Sequence, residues 1–243
     1  MLRAVKTDLH IHTCLSPCGE LSMSPQGIAQ KAKEQSIEII GICDHNSAEN
    51  VPALIEAGKK LALQVIPGIE VTTKEEVHLL ALFSQIEAAL ALQAKIYESL
   101  PGENNPDLYG WQVVVNESGE VLDFNPHLLI GATTLSLEET INLIHELGGL
   151  AIASHIDREG FSLIGQLGFI PSGLPLDALE VSPRLPLEAA RKKFAGPYPL
   201  ITSSDAHDLK EIGAATTAFL LAEPSLEEIS LALRSEGGRR ILN

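Results

Sequence analysis

Asp8-Leu9-His10-Ile11-His12 closes a short apolar run, Leu2 to Val5, near the start of the chain. The same arrangement returns five times. Asp44-His45 follows Ile39-Ile40-Gly41-Ile42-Cys43, and Glu70 follows Val65-Ile66-Pro67-Gly68-Ile69. His78 opens Leu79-Leu80-Ala81-Leu82, His155 follows Leu150-Ala151-Ile152-Ala153-Ser154, and Asp205-Ala206-His207 follows Leu200-Ile201-Thr202-Ser203-Ser204. Imidazoles and carboxylates at the termini of short apolar runs, far apart in sequence, are how a parallel β/α sheet or barrel delivers side chains to one mouth. Eight histidines are present, and at least six stand where a metal would want them. The pattern points to a metal-dependent hydrolase.

His10 and His12 are two residues apart, so on a strand they share a face. Two imidazoles on one face supply half a tetrahedral site, which a carboxylate and a water complete. Alone, His-x-His on a polar strand end is weak; Asp205-x-His207 repeats the geometry on another segment. Glu70 suits a bridging role, because a carboxylate has two oxygens and can serve two ions.

At 243 residues the chain has the size of one β/α barrel. Hydrophobic residues are 45% and aromatics only 4%, so the core is expected to be aliphatic. The net charge is −15, which disfavours a polyanionic partner. We therefore expect a small phosphorylated substrate and no long nucleic acid. Cys14, Cys18 and Cys43 are too few for a disulfide framework. No leader peptide and no run of about 18 apolar residues is evident, so a cytoplasmic setting without membrane contact is expected. Nothing bears on oligomeric state.

Apolar runs alternate with amphipathic stretches, which reads as βαβ units. Strands are expected at Val5–His10, Glu38–Cys43, Gln64–Val71, Val77–Phe83, Leu150–His155, Ala178–Val181, Leu200–Ser203 and Ala215–Leu221. Ser24-Pro25 opens a helix, Asn50 is placed to cap Val51 to Leu61, and Ser136 with Glu139 and Ser225 with Glu228 are capping boxes. From Pro101 to Thr134 the rhythm breaks after a long helical stretch, Ser84–Leu100. Pro-Gly, Asn-Asn-Pro and a hairpin (Trp111–Val115 with Glu120–Leu122) mark an insertion over the barrel mouth, within a single domain of residues 1–243.

These motifs together resemble the PHP (polymerase and histidinol phosphatase) superfamily. Asp-Leu-His-Ile-His-Thr, Cys-Asp-His-Asn, Pro-Gly-Ile-Glu-Val, Val-His-Leu-Leu, Ala-Ser-His-Ile-Asp and Ser-Ser-Asp-Ala-His occur in order from about Ala4 to Gly213. The resemblance implies a distorted (β/α)7 barrel, α/β in class, with a trinuclear site at the C-terminal ends of the strands and hydrolysis of phosphate esters. It implies two or three divalent ions per chain, zinc, manganese or iron. By motif, His10, His12, Glu70 and Asp205 hold one ion. Glu70 bridges to a second, which His78 and His155 complete. His45, His207 and one residue of the loop after His12 hold the third. Relatives use Asp or His five or six residues past the second motif histidine; here those positions are Pro17 and Cys18, with Glu20 just beyond. Cys18 has the better spacing and thiolate suits zinc, whereas Glu20 suits a harder metal.

Asp8 and Asp44 precede motif histidines and are expected to orient ring N–H groups. Arg158 and Arg184 are candidates to bind substrate phosphate. Glu180, at a strand end, either faces the mouth or caps it. His145 reads as a packing or solvated helix residue, and His127 as a loop residue. No side chain is assigned as nucleophile; a hydroxide on the metals is expected to attack. The leading reading is a phosphoesterase for a small phosphorylated metabolite or nucleotide. A nuclease on short oligonucleotides and a non-catalytic metal-binding module are the alternatives. No P-loop, dinucleotide-binding glycine loop or nucleophile elbow is present.

Overall fold

The computed structural model describes residues 1–242. Strands are β1 (Arg3–Ile11), β2 (Ile39–Ile42), β3 (Gln64–Thr72), β4 (His78–Leu82), β5 (Val113–Val115), β6 (Val121–Phe124), β7 (Leu150–Ala153), β8 (Ala178–Val181), β9 (Leu200–Thr202), β10 (Thr217–Leu221) and β11 (Arg240–Ile241). Helices are α1 (Pro25–Glu34), α2 (Val51–Lys59), α3 (Ile86–Ser99), α4 (Pro106–Tyr109), α5 (Leu137–Glu146), α6 (Leu163–Leu167), α7 (Leu187–Lys193) and α8 (Leu226–Leu233). The main sheet runs β11-β10-β1-β2-β3-β4-β7-β8-β9. Just past β9, Ala206 bridges back to Ile11 at the end of β1, and His12 N–H donates to Ala206 O. This nearly closes a ring of seven strands, the expected distorted (β/α)7 barrel, with β10 and β11 as an antiparallel flap on β1. Thr217 of the flap exchanges hydrogen bonds with Thr202 of β9 and so backs the seam.

The distortion is β4, which is antiparallel to both β3 and β7. Its first residue, His78, therefore lies at the same mouth as the last residues of its neighbours; His78 pairs with Thr72.

One aliphatic cluster fills the barrel interior: Val5, Leu9, Ile39, Cys43, Ile66, Leu80, Leu82, Leu150, Ile152, Ala178 and Ile201, sealed at the inner end by Leu226 and Ile229 of α8. The alternate residues, among them Ile40, Ile42, Ile69, Val71, Leu79 and Ala81, pack outward against Ile28, Leu54, Leu92 and Ile141 of the helices. This is the period-two alternation of strands buried on both faces.

Local signals account for most helix ends. Ser24 Oγ accepts from Gly27 N–H at the start of α1, and Ser136 with Glu139 forms a complete capping box on α5. At α8 only half a box forms, because the Glu228 carboxylate turns to Ala222 N–H and to Arg239. Asn50 does not cap α2; its amide instead reaches Thr13 Oγ1, Val113 O and Val115 N–H. That diversion ties residues 101–134 to the barrel. Because β4 runs inward, α3 returns the chain to the mouth and α5 carries it down again. The intervening segment therefore sits at the mouth end, with Thr133 N–H on Thr72 O and Asn46 Nδ2 on Leu129 O and Gly131 O. Its hairpin is β5–β6, the first strand shorter and the second one residue longer and displaced from the expected pair.

Candidate metal centre

On five strands the inward columns run unbroken from hydrocarbon to metal-binding chemistry. Ile39, Gly41 and Cys43 lead to His45; Ile66 and Gly68 to Glu70; Leu82 and Leu80 to His78; Ala178 to Glu180; and Ile201 to Asp205. On β1 and β7 the parity has to change, since Leu9 and Ile152 point inward and His10 and His155 do too. In β1 the pairing with β2 shifts between Asp8 and Ile11, a bulge that re-aims the side chains beyond it. Gly41 makes room for it, as a Cβ there would lie 2.4 Å from Leu9 O. Beyond β7, His155 adopts φ 30°, and this backbone reversal turns its ring to the centre.

Five imidazoles surround the Glu70 carboxylate. His45 Nδ1 and His78 Nδ1 each lie 3.0 Å from it, His10 Nε2 and His155 Nε2 3.3 Å, and His12 Nε2 3.5 Å. Asp205 Oδ1 lies 3.2 Å from His12 Nε2 and 3.3 Å from His10 Nε2. His207 stacks on His12 with ring centroids 4.1 Å apart. Three overlapping trios each gather donor atoms within 4.8 Å of one another: His10, His12 and Asp205; His45, Glu70 and His78; and His12, His45 and His207.

These contacts are close, yet many are not hydrogen bonds. His45 Nδ1, His78 Nδ1, His155 Nδ1 and Glu70 Oε1 are buried without a hydrogen-bond partner. Orphaned buried donors and acceptors are costly, and cations shared among them remove the cost. Burial pushes His12 and His78 down, His78 to about 4, which leaves neutral imidazoles with a lone pair to give. Burial works against the charge on Glu70, but the imidazoles around it, His78 and His10 foremost, outweigh burial and hold it well below the usual range. Asp205 is likewise held down by His10 and His12 against burial. Nitrogen and oxygen donors in this arrangement fit divalent cations.

Cys18, though on the exposed rim, meets the His207 and His45 rings. Burial of the thiol pushes its pKa up, and hydrogen bonds from those imidazoles outweigh that and bring it to about 6. Glu20 is exposed and joined to the centre through its backbone N–H on His207 O. The expectation for Asp8 and Asp44 needs correction. Asp8 accepts from Ser204 N–H and Gly213 N–H, and Asp44 from Thr13 and Ser16. Both point away from the rings, as residues adjacent to inward histidines must. Asp44 acts at one remove, since Ser16 Oγ lies 2.9 Å from His12 Nδ1. The carboxylate that directly orients a ring is Glu180, whose Oε1 is 3.0 Å from His10 Nδ1. Its even spacing from Ala178 was the signal; Ser16 carried none.

Arg158 Nη2 lies 2.5 Å from Asp205 Oδ2, and its Nε is buried without a partner. Arg184 lines the adjoining cleft with Arg158 and Phe161. His145 pairs with Asp177 and His127 stacks on Tyr97, both outside the centre.

The PHP domain profile matches residues 8–161, and the profile described as PHP-associated matches 190–236. The chain belongs to the PHP domain family. Among PHP-related proteins, the 5'-3' exoribonuclease Rnm of Salmonella typhimurium is 25% identical over 202 residues, 65% of this chain and 68% of that protein. The lesion-specific endonuclease PfuEndoQ of Pyrococcus furiosus superposes with a TM-score of 0.76 at 22% identity, over 98% of this chain. A complex of Endonuclease Q with a 27-mer duplex bearing an abasic lesion gives a TM-score of 0.72. This chain spans 58% of the length of those endonuclease chains. As a PHP protein the chain is a hydrolase of phosphate esters. The expected partner, a small phosphorylated substrate to the exclusion of long nucleic acid, is overturned, because these similar proteins act on RNA and DNA. The error lay in spreading a net charge of −15 evenly. Asp8, Asp44, Glu70, Glu180 and Asp205 are buried within or beneath the PHP centre, while two arginines line its mouth. Among the described residues no helix is long and apolar enough to cross a membrane.

Proposed function

We propose that this protein is a metal-dependent nuclease that hydrolyses phosphodiester bonds of nucleic acid at the Glu70 centre. The observation that carries the reading is the ring of five imidazoles around one buried carboxylate, opening beside two arginines. In this reading His10, His12 and Asp205 would hold one ion. Glu70 would serve a second with His78 and His155, and His45, His207 and Cys18 would hold a third. Divalent cations bound by these groups supply Lewis acidity toward phosphate oxygens and make water a competent nucleophile near neutral pH.

The chain's own residues do the rest. Glu180 fixes the His10 ring, and Asp44 fixes His12 through Ser16. Arg158 and Arg184, which line the cleft, donate to the non-bridging phosphate oxygens. We take the chain as one barrel in which Pro101–Thr134 forms a wall of the mouth and limits access.

The test is cleavage of labelled single-stranded and duplex oligonucleotides by protein loaded with manganese, zinc or iron, alongside an aryl phosphate monoester. Oligonucleotide cleavage that stops with chelator is expected. Turnover of the monoester with intact oligonucleotides in all three metals overturns the proposal.

A further inference from the structure

We infer that Phe161 is a stacking platform for the base beside the scissile phosphate, so that the substrate must present that nucleotide unpaired. The inference rests on the nuclease reading above.

Phe161 stands in an unusual place. It is 43% exposed, while the histidines next to it are almost fully buried. One face of its ring stacks on His78, with centroids 4.8 Å apart and planes at 24°. The exposed part of the ring borders the cleft that Arg158, Ser182 and Arg184 also line. Phe161 and two arginines thus line one cleft, with Asp157 and Glu159 also in its walls, and the phenyl ring stacks directly on the metal-binding His78. A nucleotide needs these three things together: a π-face for the base and positive charge for the phosphate, next to the reacting centre.

The backbone says the position is held on purpose. Phe161 has φ 56°, a left-handed conformation that a bulky side chain rarely adopts. Strain of this kind persists where the surroundings over-determine it and clusters at binding sites. Here the surroundings are rigid. Asp157 holds Ser182 through both backbone N–H and hydroxyl, Ser162 Oγ bonds Arg158 O, and Phe161 O accepts from His78 N–H at 2.9 Å. A glycine would relieve the strain and still donate the same carbonyl, so the loop geometry alone does not call for a phenyl ring. Nor does hydrophobic burial, since the ring sits over a polar cleft.

The alternative is that the ring only shields His78. The two roles separate when the base is removed from the substrate. Short single strands carrying either a base or an abasic sugar beside the cleaved bond would be compared in wild type, Phe161→Ala, Phe161→Gly and Phe161→Trp, with metal content measured in each. Wild type should favour the base-bearing strand in KM by about 5- to 150-fold, the range that base–aromatic stacking gives. Phe161→Ala and Phe161→Gly should bring that ratio near unity, and Phe161→Trp should keep it. A 2-aminopurine at the same position should be quenched on binding to wild type and to Phe161→Trp, and not to the two truncated forms. Phe161→Gly guards against misfolding: freed of the positive-φ strain, it should melt about 2–4 °C above Phe161→Ala. Equal loss on base-bearing and abasic strands, or loss of metal in the truncated forms, would show that the ring merely packs His78. A wild type that cleaves oligonucleotides without preferring the base overturns the platform and leaves the nuclease reading standing. No oligonucleotide cleavage at all overturns both.

Discussion

Inside the barrel, Ile66 and Glu70 stand in one column of β3, and Leu80 and His78 in one column of β4, within four residues of each other. The inner end is hydrocarbon sealed by α8. The mouth end is imidazole and carboxylate with buried atoms left unpaired. Positive φ at non-glycine residues occurs at both ends, Ser36, Ala62 and Ser235 at the inner one, but at the mouth it falls on His155 and Asp205 of the metal centre itself. A barrel interior can thus give one end to stability and the other to chemistry without changing the path of its strands. The aliphatic floor repays in hydrophobic burial what the polar layer above it costs.

If the division is real, substitutions at the two ends should fail differently. The largest effect should come from Glu70→Gln. The amide is a weak ligand, so activity should fall below about a hundredth of wild type with metal content reduced and the far-UV spectrum retained. Two bound ions and near-normal turnover in that variant would break the comparison. Asp205→Asn should behave similarly. At the inner end, Ile152→Ala should cost about 2–5 kcal/mol in denaturant unfolding, with metal content unchanged in the fraction that remains folded. Metal loss without loss of stability would erase the distinction. Glu180→Gln sits between the ends and should lower metal affinity by about 10–100-fold through the freed His10 ring, read by competition with a chelating dye. The smallest effects belong to the rim. Cys18→Ser should remove one ion of the three, and Glu20→Gln should remove none, by elemental analysis after reconstitution; the reverse pattern would give the role to Glu20.

The sequence made the columns legible because aliphatic runs ended in histidine and acid at matching positions. Strand positions followed within a few residues, and so did the resemblance to the PHP family. What stayed hidden has no residue-level mark. The bulge in β1 is accommodated by Gly41 on the neighbouring strand rather than by a glycine of its own, and the backbone reversal at His155 changes parity without any glycine. The reversed direction of β4 cannot be read from a run that looks the same either way. Asn50 carries an N-cap signature but spends its amide on the insertion. Nothing in the sequence singles out Phe161. The net charge was correct as a sum and misleading as a map.

The seam beside β1 has a consequence for how the molecule opens. The two edges meet there through the Ile11–Ala206 bridge and through Ser204 N–H on the Asp8 carboxylate, with the Thr202–Thr217 pair behind them. His12 lies on one lip and Asp205 on the other, 193 residues apart in the chain. An ion shared between them would rivet the barrel shut across this seam. Withdrawing it would unfasten a zip rather than empty a cup, and the amides of Ile11 through Thr13 and Ser203 through His207 would be the first to exchange with solvent.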